Sequence, residues 1–342
     1  MPRMDPVLTH LKEVVGEANF LQDPDALKTH AIDGKRPKAI LSPGTIEEVS
    51  KVVAFANEKN LSIAPMGNRT KGGAGGIPKK IDLILSTLRL NRITDSDCDN
   101  LTLSAESGIT LNEVQSHLSK IGRGYFLPLD PPFVEKATLG GIVATNSSGP
   151  RRLLYGTARD LVIGMKAVFP NGDVVISGGK TVKNVSGYDL SKLLIGSYGS
   201  LGILCEMTFK LLPLPEKEAT LVTPFAKLEE AVPFARAILQ SQYLPASLEI
   251  LNGKAAMQIH PSVGNGTPYW VAIGLEGVTE AIDRQISEMG EMARQKGGLS
   301  PSILQSESHS NFWKGIRDFP VSYTHLRAHE TPEHLVCRLL LE

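Results

Sequence analysis

Cysteine is scarce: three occur in 342 residues, Cys98, Cys205 and Cys337. That is too few for a disulfide framework and too widely spaced for a zinc knuckle or a redox pair. A charge of one sign is also missing, since 36 lysines and arginines balance 36 aspartates and glutamates. No basic surplus exists to neutralise a phosphate backbone, so nucleic acid is not an expected partner. No run approaches the roughly eighteen apolar residues of a membrane span, and Asp5, Glu13 and Glu17 interrupt the N-terminus, so no secretory leader is read there. These absences point to a reducing, cytoplasmic compartment, with any attachment to the inner membrane face made through partners. The length exceeds what one hydrophobic core usually organises and predicts two packed units.

Along the chain, Lys38-Ala39-Ile40-Leu41 reads as a strand and Thr45 as the start of a helix with Ile46, Val49, Val52, Val53 and Ala56 inward. Thr45 and Glu48 have capping-box spacing, as do Thr110 and Glu113 ahead of a second helix carrying Val114 and Leu118. Leu61–Ala64 and the alternating Leu101–Ala105 read as strands. Val168–Ile176 reads as a hairpin turning at Asn171-Gly172, and Leu201–Leu212 as a strand closed by Pro213 and Pro215. Beyond, strands at 219–222, 246–251 and 269–275 and helices at 228–240 and 278–296 suggest a ferredoxin-like sheet with helices on one face. The expected domains are 1–215, with subdomains of about 1–95 and 96–215, and 216–320.

Two glycine-rich stretches carry the chemistry. Pro65-Met66-Gly67-Asn68-Arg69-Thr70-Lys71-Gly72-Gly73-Ala74-Gly75-Gly76 follows a strand, but Pro78 comes where a dinucleotide fingerprint needs a helix, and Thr70-Lys71 reverses the order of a P-loop. A backbone nest from Gly67 to Thr70, with Arg69 or Lys71 adding positive charge, suits a pyrophosphate; a flexible surface hairpin is the competing reading. The second stretch runs Gly140-Gly141-Ile142-Val143-Ala144-Thr145-Asn146-Ser147-Ser148-Gly149 and is followed by Gly199-Ser200-Leu201-Gly202-Ile203. Glycines there let backbone approach a large cofactor, and the hydroxyls and the amide offer directional hydrogen bonds.

The loop after Pro65, Ala137-Thr138-Leu139-Gly140-Gly141, Gly149-Pro150-Arg151-Arg152 with Tyr155-Gly156, and Lys183-Asn184-Val185-Ser186-Gly187-Tyr188-Asp189-Leu190 leading to Gly196-Ser197-Tyr198-Gly199 resemble the FAD-binding domain of the p-cresol methylhydroxylase and vanillyl-alcohol oxidase superfamily. Within it, the likeness runs to FAD-binding subunits of glycolate oxidase and related D-2-hydroxyacid dehydrogenases. The resemblance covers about residues 5–215 and, more weakly, 216–320. It implies an α+β chain: a two-subdomain p-cresol methylhydroxylase-type FAD-binding domain followed by a partial ferredoxin-like α+β cap domain. It also implies cofactor contacts at Gly67, Asn68, Thr70 and Lys71 for the pyrophosphate. Thr138, Gly140, Gly141, Thr145, Asn146, Ser147 and Gly149 would serve the second phosphate and ribityl region, and Gly199, Gly202 and Ile203 the later backbone contacts. Arg69 stands where the family commonly has glycine, which makes a phosphate pairing by its side chain an expectation. Residues 65–76 hold no histidine or cysteine, so the resemblance implies non-covalent FAD.

In the related dehydrogenases a 2-hydroxy acid loses hydride to the flavin, which calls for a base and for cations that hold the carboxylate. His10, His30, His117, His260 and His309 are scattered, and no catalytic residue is assigned among them. Arg317, within Phe312-Trp313-Lys314-Gly315-Ile316-Arg317, is similar to an arginine that binds substrate carboxylate in these relatives, a task its planar fork suits. From Val321 the chain resembles translated adapter sequence, which makes 321–342 a non-native tail and the chain a truncated product. His325, His329, His334 and Cys337 lie in that tail, but Pro332 interrupts the helical spacing, so no metal site is expected. The expected function is FAD-dependent oxidation of a small 2-hydroxy acid, with electrons passed to other oxidase subunits such as an iron–sulfur carrier. Two alternatives stand beside it: a non-catalytic FAD-binding subunit of a heteromeric oxidase, and a nucleotide-sugar flavin reductase, against which the Lys183–Ile203 likeness argues.

Overall fold

The computed structural model describes residues 5–73, 77–122, 124–179, 189–261 and 266–322. Ala74–Gly76, the expected Lys183–Tyr188 motif and the tail from Tyr323, with its three histidines and Cys337, lie outside the described residues. The chain divides into two compact units: Met1–Ser147 with Thr157–Pro213, and Ser148–Gly156 with Leu214–Glu342.

The first unit opens with β1 (Phe20–Leu21), β2 (Ala39–Leu41), β3 (Ile63–Met66) and β4 (Leu83–Ser86), ordered β1-β2-β4-β3. β4 pairs in parallel with both β2 and β3. Strands running the same way need a crossover, and the helix Ile46–Glu58 supplies it between β2 and β3. Val49, Val52, Val53 and Ala56 recur at helical spacing and are all buried, so one stripe of this helix enters the core. Thr45 caps it by accepting from Glu48 N at 3.2 Å. The expected reciprocal bond is absent from the pair, because the Glu48 carboxylate accepts from Gly44 N at 2.7 Å instead.

Downstream lie β5 (Ile93–Asp97), β6 (Thr102–Glu106), β7 (Tyr125–Phe126), β8 (Val162–Val168), β9 (Val174–Gly178), β10 (Ile203–Lys210) and β11 (Leu212–Pro213). β7 and β11 pair with each other; the other five form an antiparallel sheet ordered β5-β6-β10-β8-β9. The helix Leu111–Ile121 carries a complete capping box, Thr110 Oγ1 accepting from Glu113 N and Glu113 Oε2 from Thr110 N. β6 departs from the expected half-exposed alternation, since all five of its residues are buried. Leu103 and Ala105 enter the core, while Ser104 meets Thr208 at 2.8 Å and Glu106 meets Arg92 at 2.7 Å, so the polar face is covered yet satisfied. The β8–β9 turn at Asn171-Gly172 docks on the crossover helix, where Ser50 Oγ donates to Gly172 O at 2.6 Å.

The second unit is built on β12 (Lys217–Phe225), β13 (Ser247–Asn252), β14 (Tyr269–Gly277) and β15 (Ser302–Gln305), ordered β13-β14-β12-β15 and antiparallel throughout. This is the ferredoxin-like order. Val271, Ile273 and Leu275 of β14 pack with Phe234, Ile282 and Met289 from the helices Leu228–Leu239 and Thr279–Gln295. Trp270 and Ala272, one residue out of phase, pack instead with Ala256, Phe312 and Ile316 from the helices Gly253–Ile259 and Ser306–Ser322. Helices therefore cover both faces rather than the single face expected. β14 shows why: five consecutive residues from Val271 to Leu275 are buried, the pattern of a strand covered on both sides. Each large apolar side chain so buried contributes about 1.5–3 kcal/mol. Among the described residues no helix is long and apolar enough to cross a membrane.

Candidate functional site

A cavity of about 470 Å³ opens in the first unit, at the C-terminal end of β3. Its volume falls in the roughly 300–1,000 Å³ range of small-molecule sites. Strand β3 ends in Pro65-Met66 and releases the chain into the loop Gly67–Gly73. The helix Leu139–Thr145 approaches that loop so closely that a Cβ on Gly67 would sit 2.3 Å from Thr138 Oγ1. Thr138 is the helix cap, accepting from Gly141 N at 3.3 Å. On the other side Gly199, at φ +74°, packs where a Cβ would stand 2.4 Å from Pro65 Cγ. Only glycine satisfies both approaches without moving backbone or cap.

Gly67, Asn68, Arg69, Thr70 and Lys71 line the cavity, as do Thr138, Gly140, Gly141, Thr145, Gly199, Gly202 and Ile203. Asn146 and Ser147 do not. Asn146 takes the left-handed C-cap of the helix at φ 47°, its Oδ1 accepting from Arg159 N, and Ser147 N returns to Ile142 O. Gly149 belongs to the second unit, where its carbonyl accepts from Arg152 N. Gly140 and Gly141 line the cavity without offering it their N–H groups, which are donated to Ser107 O and Thr138 Oγ1. The helix start is thus an already satisfied wall. In the loop the situation is reversed: among the described residues no backbone carbonyl accepts from the N–H groups of Asn68, Arg69 or Thr70.

Arg69 takes the left-handed region at φ 59°, which explains why glycine suits the position. Its guanidinium donates to the carbonyls of Thr29 and Ala31, so it clamps the loop rather than standing open for a phosphate. The Asn68 amide donates to Lys136 O at 2.9 Å.

Among the described residues the lining holds three cationic residues, Arg69, Lys71 and Lys80, and no carboxylate. Sequence reasoning missed Lys80, Ser107 and Tyr198, which also line it. Ser107 is informative: it is a lining residue whose Oγ is buried and has no hydrogen-bond partner among the described residues. A buried hydroxyl without a partner costs about 1–3 kcal/mol unless something in the cavity receives it. Open loop N–H groups, cations without carboxylates and an orphan hydroxyl fit a polar, anionic cofactor such as FAD. Beneath the lining, burial opposes ionisation of Asp82. Hydrogen bonds from Lys80, Ser62 and Lys38 outweigh that cost and hold its carboxyl below the usual range.

The second unit carries a polar layer on the helix Ser306–Ser322 side of its sheet. Arg151 Nε donates to Glu276 Oε1 at 2.7 Å and Arg151 Nη2 to Glu218 Oε1 at 2.6 Å, while Tyr155 Oη donates to Glu276 Oε2 at 2.8 Å. Thr220 Oγ1 accepts from Trp313 Nε1 at 2.7 Å and lies 2.8 Å from His309 Nδ1. Burial pushes the Glu276 carboxyl up against the pull of Arg151 and raises the Tyr155 phenol; burial also lowers the His309 imidazole, with Glu218 at 3.8 Å pulling the other way. Arg317, on the same helix, has 17% of its side chain exposed and a buried Nε without a hydrogen-bond partner among the described residues; the Asp318 carboxylate stands 3.5 Å away. No group of three or more potential metal-ligating residues forms among the described residues.

Two family models match the chain: an FAD binding domain over residues 37–178, and the C-terminal domain of FAD-linked oxidases over residues 214–334. Glycolate oxidase subunit GlcD of Bacillus subtilis is 31% identical over 89% of this chain and 66% of its own length. A D-lactate dehydrogenase of Anaerostipes hadrus is 32% identical over 81% of this chain and 60% of its own length. The chain therefore spans less than two thirds of these two relatives. A D-2-hydroxyglutarate dehydrogenase of Xanthomonas citri pv. viticola is 30% identical over 94% of this chain and 70% of its own length. Among solved structures, p-cresol methylhydroxylase superposes at a TM-score of 0.76 with 18% identity, over 92% of this chain and 70% of that one, which shows the shared fold. By sequence, by fold and by the fit of its glycine-walled, cation-lined cavity to FAD, this chain belongs to the FAD-linked oxidase family that includes the glycolate oxidase subunit and the D-lactate and D-2-hydroxyglutarate dehydrogenases.

Proposed function

We propose that the protein oxidises a small 2-hydroxy acid with FAD held non-covalently in the first unit, and passes the electrons to a partner of the iron–sulfur type. The observation that carries this reading is the cavity lined, among the described residues, by Lys71, Arg69 and Ser107 with its orphan hydroxyl and by no carboxylate, in a chain related to enzymes named for glycolate, D-lactate and D-2-hydroxyglutarate. Bound FAD would supply the acceptor for a hydride leaving the carbon that bears the hydroxyl. The N–H groups of Asn68, Arg69 and Thr70 would hold its pyrophosphate, with Lys71 adding charge. Gly67, Thr138, Gly140, Gly141 and Thr145 would form the opposing wall, and Gly199, Gly202 and Ile203 the third side. Residues 1–215 would act as the FAD-binding domain and 216–320 as the cap. In the cap, Arg317 would bind the substrate carboxylate through its planar fork.

The test is an anaerobic absorption spectrum of the FAD-reconstituted protein before and after glycolate, D-lactate, L-lactate and D-2-hydroxyglutarate. Bleaching of the flavin band by at least one of these is the expected result, and bleaching by one lactate enantiomer and not the other fixes the stereochemistry. A flavin that stays oxidised with all four overturns the substrate class while leaving FAD binding intact, and colourless protein overturns both.

A further inference from the structure

Arg69 holds a left-handed backbone, φ 59°, that suits glycine better than a residue with a long side chain. Its guanidinium reaches back to the segment that ends the helix Pro24–Thr29, where Nη1 donates to Thr29 O and Nη2 to Ala31 O, the latter at 3.3 Å. That segment turns at once. Ile32 and Lys35 exchange both backbone bonds, at 3.1 and 3.0 Å, and the two residues between them, Asp33 and Gly34, are left-handed at φ 48° and 77°, as a tight two-residue hairpin requires. At the far end of the hairpin Lys35 Nζ donates to Pro78 O. Two side chains thus tie the hairpin, one to the glycine loop and one to the chain that follows it.

Ile32 lies between the ties. It lines the cavity and packs on the small cluster of Ile40, Ile81 and Ile84, as Ala64 and Met66 also do. Ala64 and Met66 belong to β3, the edge strand of its sheet, whose four residues are all only half-buried and all line the cavity. Apolar surface left half open inside a cavity gains when an apolar face covers it. FAD carries two flat rings, one on each side of its pyrophosphate, and each presents such a face. We propose that the hairpin Ala31–Lys35 is part of the cofactor site: Arg69 and Lys35 hold it in place so that Ile32, with Ala64, Met66 and Ile81, forms an apolar slot for a flat ring of the cofactor. The proposal rests on the FAD reading of this cavity. Ile32 touches the ring, and the Arg69 side chain is a positioning group that acts through Ile32.

The experiment is a double-mutant cycle on FAD affinity in the full-length protein, with Ile32→Ala, Arg69→Asn, the double variant and Val52→Ala. Asparagine tolerates the left-handed backbone but is too short to reach Thr29 and Ala31. Val52 is buried in a different cluster of the same unit and does not line the cavity, so its truncation controls for general destabilisation. Ile32→Ala removes three carbons from the slot and should weaken FAD by about tenfold. Arg69→Asn should weaken it by a similar factor, about five- to tenfold, and the double variant by clearly less than the product of the two, because the second change removes what the first has already displaced. Val52→Ala should stay within about twofold of wild type. FMN and ADP, titrated as competitors of FAD, name the ring: Ile32→Ala weakens FMN if the slot holds the isoalloxazine and ADP if it holds the adenine. Unchanged FAD affinity in Ile32→Ala overturns the slot and leaves the FAD reading standing, as does a loss that appears with FAD and with neither half. Losses that multiply in the double variant, or a Val52→Ala loss equal to that of Arg69→Asn, overturn the positioning role. Wild type that never binds FAD removes the reading of the cavity and this proposal with it.

Discussion

Asp82 in the first unit and Glu276 in the second are both nearly sealed from water, with side chains 1% and 2% exposed, and burial opposes ionisation of both, yet the Asp82 carboxyl ends below its ordinary range and the Glu276 carboxyl above it. Asp82 faces Lys80 at 2.7 Å and Lys38 at 3.1 Å and accepts from both the N–H and the hydroxyl of Ser62. Two cations serve one carboxylate, and its charge is held. Glu276 has half of Arg151, which is shared with Glu218, and the second carboxylate repels the first. One cation serves two carboxylates, and the carboxyl is pushed up. The ratio of partners decides whether the cost of burial is offset: for Glu276 burial outweighs the shared guanidinium, whereas for Asp82 the hydrogen bonds from Lys80, Ser62 and Lys38 outweigh burial. It also separates the two regions by task. Around the cavity positive charge is in surplus, as an anionic ligand requires, whereas the second unit's polar layer is short of positive charge and holds its own chain together.

The strongest way to break this contrast is to close the cavity. Gly67→Val should abolish FAD retention, by at least about a hundredfold in affinity, because its Cβ would overlap the Thr138 cap at 2.3 Å. Gly141→Val should lose less, since its Cβ meets only Thr138 Oγ1 at 3.1 Å. The ratio of flavin to protein absorbance on purified variants reads both. Next comes the polar layer. Glu276→Ala removes the bonds from Arg151 Nε and Tyr155 Oη and should cost about 3 kcal/mol by urea unfolding, the low end of the range for removing one member of a buried pair, because Arg151 keeps Glu218. Asp82→Ala should cost less, because Lys38 and Lys80 are more than half exposed and return to water.

Titration sharpens the same comparison with smaller effects. Asp82 has a folded pKa below its ordinary 3.8. Its contribution to stability is therefore present above pH 3.8 and is lost as pH falls through the folded value. Glu276 has a folded pKa above its ordinary 4.5, so its contribution is complete below pH 4.5 and fades as pH rises through the folded value. Asp82→Asn should flatten the acid limb of the stability profile, and Glu276→Gln the decline above pH 4.5. Thermal unfolding followed from pH 3 to pH 8 in roughly half-unit steps checks both slopes, and slopes of one sign for both residues would refute the partner-ratio argument.

Much of this architecture is legible locally. Thr45 and Thr110 announce helix starts because a cap needs only its own neighbours, and Asn171-Gly172 marks its hairpin for the same reason. The glycine loop and the Thr138–Gly141 segment stand out because close backbone approach leaves few residue choices. What stays hidden depends on distant pairs. Ser107 and Lys80 reach the cavity only once the sheets are assembled, and the Arg69 guanidinium turns to Thr29 and Ala31, forty and thirty-eight positions away. The Arg151–Glu276 bond spans 125 residues, beyond any periodicity argument. Burial on both faces of β14 is readable in its apolar run, but the helix that covers the second face begins only at Ser306.

The smallest effect isolates charge at the cavity from shape. Lys71 and Lys80 both line the cavity, and Lys80 also faces Asp82 at 2.7 Å, so Lys71 is the cleaner position at which to remove charge without disturbing that carboxylate. Lys71→Ala removes a cation without adding a Cβ where none fits, so FAD affinity should fall by only about three- to tenfold, as expected for a partly exposed charge pair of around 1 kcal/mol. Because that attraction is electrostatic, the difference from wild type should shrink as salt rises from 0.02 to 0.5 M, where the screening length drops from about 20 Å to about 4 Å. Arg69→Gly serves as the companion. Glycine adopts φ 59° without strain and the lost guanidinium was bonded to backbone carbonyls, so its effect on affinity should be independent of salt. Fluorescence titration of FAD at low and high ionic strength distinguishes the two. Equal salt dependence would mean that Arg69 leaves its carbonyls to join the anion, and a Lys71→Ala deficit unchanged by salt would mean that Lys71 acts through packing rather than charge.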